Sequence, residues 1–337
     1  MNVEEVAEND QVSSAEKFVE HLITEGHRCH HDERTEYFGN HKDLPTFYNE
    51  EMFKKGQDFY HKNTVGIFLG CFLALLSGFA QPFAKVLVMT NKSSTPVTAY
   101  KRYAATIMHM CSWYESDFQP GSKLWTSIKK VRRMHDTVSE QSKSRLSHPI
   151  SQYEMCAAII GFMGFPVMRN EMVGIFASRD ELKCFIHFWR VMGYLLGIRD
   201  EFNICRESVE ETKQICILLI QREMAPNIKK KPDYFGTLSK AFVSGMKAIL
   251  PMISYDHSME YLKFVVDSIT ESVSLNQAET PQRTSKWNYL SVTVGIMRFD
   301  FARIILNQFF KILLWLLKFS PIFAFYKFGF QNSRVKI

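Results

Sequence analysis

The residues best suited to chemistry in this chain sit on two helical stretches. In Leu124–Ser139, Ile128, Val131, Arg132, His135 and Val138 recur at three- and four-residue steps and share a face. Lys129, Lys130, Arg133 and Thr137 fall on the other, solvated side. An arginine beside a histidine on an inward face is costly unless an anion, a metal or an internal partner answers it. Two chemistries follow: an imidazole that binds a metal beside a guanidinium that binds an anion, or an internal ion pair with a hydrogen-bonded core histidine. The second stretch, Phe185–Ile198, leaves almost no face for water, so it belongs at the centre of the fold. His187, Arg190 and Tyr194 point the same way along it, and Arg199, Asp200 and Asn203 close its end. These residues form either a cluster facing a cofactor pocket or a structural Arg190–Asp200 pair. A third group, His27, Cys29, His30, His31 and His41, has metal-binding residue types without a recognised spacing, and its charged setting marks a solvated face. Phosphate-binding glycine loops, nucleophile elbows and HExxH are absent.

The elements that position these residues read as helices throughout, with no convincing strand pairs or repeats. Residues 1–60 are polar with weak helical periodicity. Thr64–Ala80 is uncharged but short of the length of about 20 residues that a membrane span needs, so it is expected as a buried core helix, with a span as the alternative. Thr95 and Pro96 mark a helix start, and Ser178 with Glu181 has the spacing of a capping box. Glu140–His148 is expected as a polar loop, Ser151–Met168 as an apolar helix in which Gly161 and Gly164 offer a flat surface, and the PNIKKKPDYFGT stretch as another loop. The expected organisation is an all-α domain over 61–275, a polar N-terminal segment over 1–60, a linker over 276–286 and an apolar, cationic tail over 287–337. In that tail Asp300, Arg303, Asn307, Lys311 and Lys318 form a narrow polar stripe on a helix of Ile, Leu, Phe and Trp. Such a helix suits a membrane interface, with its lysines on anionic headgroups; the alternative is that it packs on the protein's own core.

Composition agrees with a folded, somewhat lipophilic protein. The chain has 337 residues, 46% of them hydrophobic, including 28 phenylalanines, and a net charge of +6. The basic residues are not gathered into a nucleic-acid stripe, so DNA and RNA are not expected partners. Seven cysteines without metal-ligand spacing imply a reducing compartment and no disulfide framework. The acidic, polar N-terminus is neither a signal peptide nor a mitochondrial presequence.

Four segments, KSSTPVTAYKRYAATIMHMCSWY, GSKLWTSIKKVRRMHDTV, ISQYEMCAAIIGFMGF and above all FIHFWRVMGYLLGIRDEFNIC, resemble the endoplasmic-reticulum-bound oxygenases and the bacterial rubber oxygenase (latex-clearing protein) over about residues 60–225. The resemblance implies an all-helical fold around haem b that oxidatively cleaves carbon–carbon double bonds of isoprenoids. The family's Arg-x-x-Lys or Arg-x-x-His helix, which reaches the haem, matches Arg132 and His135. One departure stands out. The rubber-oxygenase branch takes its proximal histidine from the next helix, at a position that falls near Ile159 or Ile160, and the Thr-Gln of other relatives corresponds to Ala157 and Ala158. So His135 is the sole ligand to the iron, His187 replaces the missing one, or haem is lost.

The expected function is a membrane-associated haem-dependent oxygenase of an unsaturated lipid or isoprenoid, placed on the cytoplasmic side of the endoplasmic reticulum. His135 would bind iron. Arg132 would meet a propionate or the bound oxygen, and Arg190 a propionate or the helix end. The alternatives are a non-catalytic haem- or lipid-binding protein of the same fold and a purely structural protein of the membrane surface.

Overall fold

Helix boundaries follow local chemistry. Thr95 accepts a hydrogen bond from the Thr98 amide with Pro96 in the first turn, and the Ser178–Glu181 and Ser151–Glu154 capping boxes both form. The computed structural model describes residues 3–30, 44–119, 121–271 and 288–337. Its helices are α1 (Val3–Arg28), α2 (Glu50–Lys62), α3 (Thr64–Gly78), α4 (Ala84–Thr90), α5 (Pro96–Glu115), α6 (Lys123–Leu146) and α7 (Gln152–Ile159). A π turn (Ile160–Gly164) joins α7 to α8 (Phe165–Met168). Then come α9 (Arg179–Leu195) and α10 (Val209–Leu219), which runs through a second π turn (Ile220–Met224) into α11 (Ala225–Lys230). The body closes with α12 (Asp233–Met246) and α13 (Tyr255–Glu271), and the C-terminal part holds α14 (Tyr289–Ile296), α15 (Asp300–Phe319), α16 (Ile322–Phe328) and α17 (Phe330–Ser333). The fold is all-α: among the described residues the only β contact is an isolated bridge between His30 and Ser151.

Three local expectations need correction. Glu140–His148 is not a loop, because α6 continues to Leu146. Its Gln, Lys, Glu and Arg are good helix formers despite their polarity, and the fully buried Ser139 hydroxyl accepts from the Ile150 amide, tying the helix to the next segment. The stretch after Pro226 is helical through Lys230 and turns only at Lys231, which has a left-handed backbone. The N-terminal 60 residues are not merely a polar flank: Val19 and Leu22 of α1 and Phe53 and Phe59 of α2 belong to the core. The expected linker over 276–286 lies outside the described residues.

The core is aromatic. Tyr60 stacks on Tyr114 at 4.3 Å between ring centroids, and Trp189 donates its indole N–H to the Tyr114 hydroxyl at 2.9 Å. α2 lies against α9 so closely that a Cβ on Gly56 would stand 2.7 Å from the Cys184 carbonyl oxygen. α3 is a core helix, with Ile67, Leu73 and Leu76 fully buried. At Gly70 it meets the start of α8, just after the π turn, where a Cβ would stand 2.6 Å from the Pro166 ring. Pro166 has no amide to offer Phe162 four residues back. The Cys71 thiol donates to that carbonyl instead, at 3.5 Å. The π turn is therefore attributable to Pro166 and to the α3 surface that accommodates it. All seven cysteines are free. Burial pushes Cys71, Cys111 and Cys216 up to about 12, so these thiols are inert near neutral pH.

The middle of the C-terminal stripe turns inward, while Asp300 and Lys318 at its ends stay exposed. Asn307 accepts from the Val65 amide and donates to the Lys62 carbonyl, and Lys311 donates to the His61 carbonyl, all at the bend between α2 and α3. Lys311 therefore holds the domain rather than reaching outward. The opposite, apolar face of α15 is exposed, with Phe301 at 77%, Ile304 at 59% and Trp315 at 56%. Among the described residues no single helix is long and apolar enough to cross a membrane.

Candidate functional site

α3, α5, α6, α7 with its π turn, α12 and the C-terminal helices line a partly open cavity of about 2060 Å³, formed mainly by apolar side chains. Small-molecule sites usually hold about 300–1,000 Å³, so this one has room for a cofactor and a long substrate together. Leu69, Phe72 and Leu75 of α3 face it. From α7 and the π turn, the residues turned toward it include Ala157, Ala158 and Gly161, and a Cβ on Gly161 would meet nothing within 4 Å. Ile159 and Ile160 do not line it; both are buried on the core side. Ala157, Ala158 and Gly161 cannot bind iron; of the other α7 residues on this wall, Glu154 is committed to its capping box and Met155 offers only a thioether.

Two imidazoles line the cavity. His135 is half-buried on α6, as its place in the Arg-x-x-His pattern leads one to expect. His109, on α5, was not singled out by sequence. Its Nδ1 lies 2.7 Å from the Ser127 hydroxyl, which also accepts the Trp113 indole N–H at 2.8 Å. Burial, helped by the charge of Lys130, lowers its pKa to about 4, so the ring is neutral at pH 7. A neutral imidazole oriented through one nitrogen is the usual form of a metal-binding histidine. The signal available in sequence was a lone histidine in the apolar run IMHMCSWY, which does not reveal that Ser127 comes within reach.

The other expected site residues lie elsewhere. Arg132 is buried, does not line the cavity, and donates to the Leu195 carbonyl at 3.1 Å. It joins α6 to the end of α9. His187 accepts from the Asn49 amide at 3.1 Å, its pKa lowered to about 4 by burial, and it does not line the cavity. Arg190 makes a two-pronged pair with Asp200, at 3.0 and 2.8 Å, and its guanidinium lies 4.0 Å from the Phe47 ring centre. Burial, the largest single influence, works against its charge, but hydrogen bonding and charge attraction to Asp200 and Glu207 together hold its pKa above the ordinary value. It too is away from the cavity. Of the four residues expected at a cofactor, the fold brings only His135 to the cavity wall. Of the N-terminal group, His27 stacks on Tyr153 at 3.9 Å, while His31 and His41 lie outside the described residues. Among the described residues no three His, Cys, Asp or Glu side chains gather as a metal site would require.

The class these features define is an all-helical domain built around a large, mainly apolar cavity with two imidazoles on its wall. The family model described as "ER-bound oxygenase mpaB/B'/Rubber oxygenase, catalytic domain" matches residues 59–228. The chain belongs to this family of oxygenases. A solved structure of latex clearing protein LCP in the closed state is similar over 81% of this chain and 70% of that one, at 17% identity and a TM-score of 0.48. No curated protein matches the chain.

Proposed function

We propose that the chain is a haem-dependent oxygenase that acts on an apolar unsaturated lipid or isoprenoid at a membrane surface, on the cytoplasmic side of the endoplasmic reticulum. The observation that carries this reading is the apolar cavity of about 2060 Å³ with His135 and His109 on its wall. The residues present fit a haem: small side chains at Ala157, Ala158 and Gly161 leave a wall that a flat macrocycle can approach, and a neutral imidazole is available. His135 is the first candidate to hold iron and His109 the second. His187 and Arg190 are committed to Asn49 and Asp200 and are not assigned to it. When bound, haem supplies the oxygen activation that no side chain provides. Cleavage of a double bond by one O₂ gives two carbonyl products and needs no further reductant. The chain's own work is to bind the substrate's apolar length, to exclude water and to hold an imidazole in place. The exposed face of α15 supports docking on lipid.

Haem-supplemented expression tests the reading. The wild-type protein should show a Soret band and consume oxygen with an unsaturated isoprenoid. His135→Ala should lose the band while the helical circular-dichroism signal survives; an unchanged spectrum would remove His135 as the ligand. The lack of a histidine on the cavity side of α7 favours one other reading, a lipid-binding protein without haem. A colourless protein that retains lipid would establish it.

For the membrane, truncation is a poor test, because Leu314, Leu317 and Ala324 are part of the core. The triple change Ile304→Asp, Ile312→Asp and Trp315→Asp on the exposed face of α15 should abolish flotation with liposomes. Equal flotation of both proteins would show that this face is not the anchor.

A further inference from the structure

The cavity is apolar inside, but the charge along its lining is one-sided. Nine lysines and arginines contribute to it, against a single carboxylate, Glu154. The whole chain has 41 basic and 35 acidic residues, so the cavity departs far from the average of the protein. Glu154 is already committed, accepting from the Ser151 amide and hydroxyl in the α7 capping box. The cations come from both walls: Lys101 and Arg102 from α5, and Lys129, Lys130, Arg133 and Arg145 from α6. Lys101 donates to Asn332 and Arg102 to Thr90. Among the described residues the four cations of α6 enter no salt bridge. α6 also presents Val131 and His135 to the same cavity, so one helix carries a cationic rim and an apolar, imidazole-bearing interior.

A neutral hydrocarbon gains nothing from such a rim, and like charges gathered without partners repel one another. An anionic head with an apolar tail answers both features. Its carboxylate or phosphate meets the lysines and arginines where water still reaches, and its chain is buried against Leu69, Phe72, Leu75 and Phe162. We infer that the ligand of this cavity is an amphiphile with an anionic head and a long unsaturated tail, whose head is held by Lys129, Lys130 and Arg133. This rests on the proposal that the cavity is the oxygenase's substrate site, and it narrows the substrate from apolar lipids in general to acidic ones.

Trp113 and Trp125 line the cavity, so tryptophan fluorescence of the full-length protein reports binding. Oleate, oleyl phosphate and oleyl alcohol, each below its aggregation threshold, share a tail and differ in head charge. Either anion should bind about tenfold more tightly than the alcohol, as two or three partly exposed charge contacts provide. The better of the two anions identifies the head as carboxylate or phosphate. The advantage should shrink at 1 M salt, where screening is strong. It should vanish in Lys129→Gln/Lys130→Gln/Arg133→Gln, surface changes that leave the fold intact. If the alcohol binds as well as the anions, the inference is wrong and the oxygenase reading stands. If none of the three binds, both are wrong. If the triple variant binds oleate normally but takes up less haem, the rim serves the cofactor's carboxylates, and the inference is overturned.

Discussion

Two regions of this molecule carry a histidine and an arginine three residues apart on a helix, and they have opposite fates. On α9, His187 and Arg190 have their polar atoms taken up by Asn49, Asp200 and Glu207. On α6, Arg132 is tied to Leu195, while His135 stands on the wall of a large cavity. The same spacing yields a structural lock in one place and a candidate ligand in the other. Periodicity states which residues share a face. Only the neighbours decide whether that face meets the packed interior or the wall of a cavity.

The comparison breaks most visibly at Arg190. Arg190→Ala removes a guanidinium whose side chain is 10% exposed and leaves Asp200 without its partner. It should cost about 2–3 kcal/mol of stability. Arg190→Met, which keeps volume without charge, should cost less. Thermal denaturation checks the order, and neither variant should change the absorbance of the haem-loaded protein beyond what unfolding explains. A specific loss of haem in folded Arg190→Met would move the α9 pair into the site.

The opposite behaviour is expected at His135. His135→Ala should alter stability by less than about 1 kcal/mol, since the side chain is half-buried at a cavity. Its effect should fall on the Soret band.

Acid sharpens the contrast in a third way. His109 and His187 have folded pKa values near 4, below their ordinary value of 6.5, because burial disfavours the charged ring. The unfolded chain therefore binds protons first as pH falls. Their neutral burial leaves stability intact above about pH 6.5 and erodes it progressively toward pH 4. The melting temperature should drop across that window. His187→Asn should lessen the drop, and an unchanged slope would mean that His187 is not held neutral.

The smallest stability effect is expected at Gly161. Gly161→Ala meets open space and should be neutral or stabilising by up to about 1 kcal/mol, since alanine is the better helix former. Gly161→Leu should leave the fold intact yet reduce uptake of a long-chain ligand, because the added side chain projects into the cavity.

Sequence alone was enough for the all-α class, the Thr95 and Ser178 helix starts, the central position of the α9 helix and the family. These follow from local capping chemistry, from an apolar surface that leaves no face for water, and from contiguous motifs. It was enough, too, to put Arg132 and His135 on a common face and to offer the Arg190–Asp200 pair as one of two readings. It could not say which of Arg132 and His135 reaches a cavity, because one turn of helix separates them and that distinction depends on where α5 and α7 stand. Nor could it find His109, whose orienting partner Ser127 is 18 residues away on another helix, or the cationic rim, which is assembled from α5, α6 and the C-terminus. A void and its charge are properties of several elements at once, so they exist only after those elements have packed.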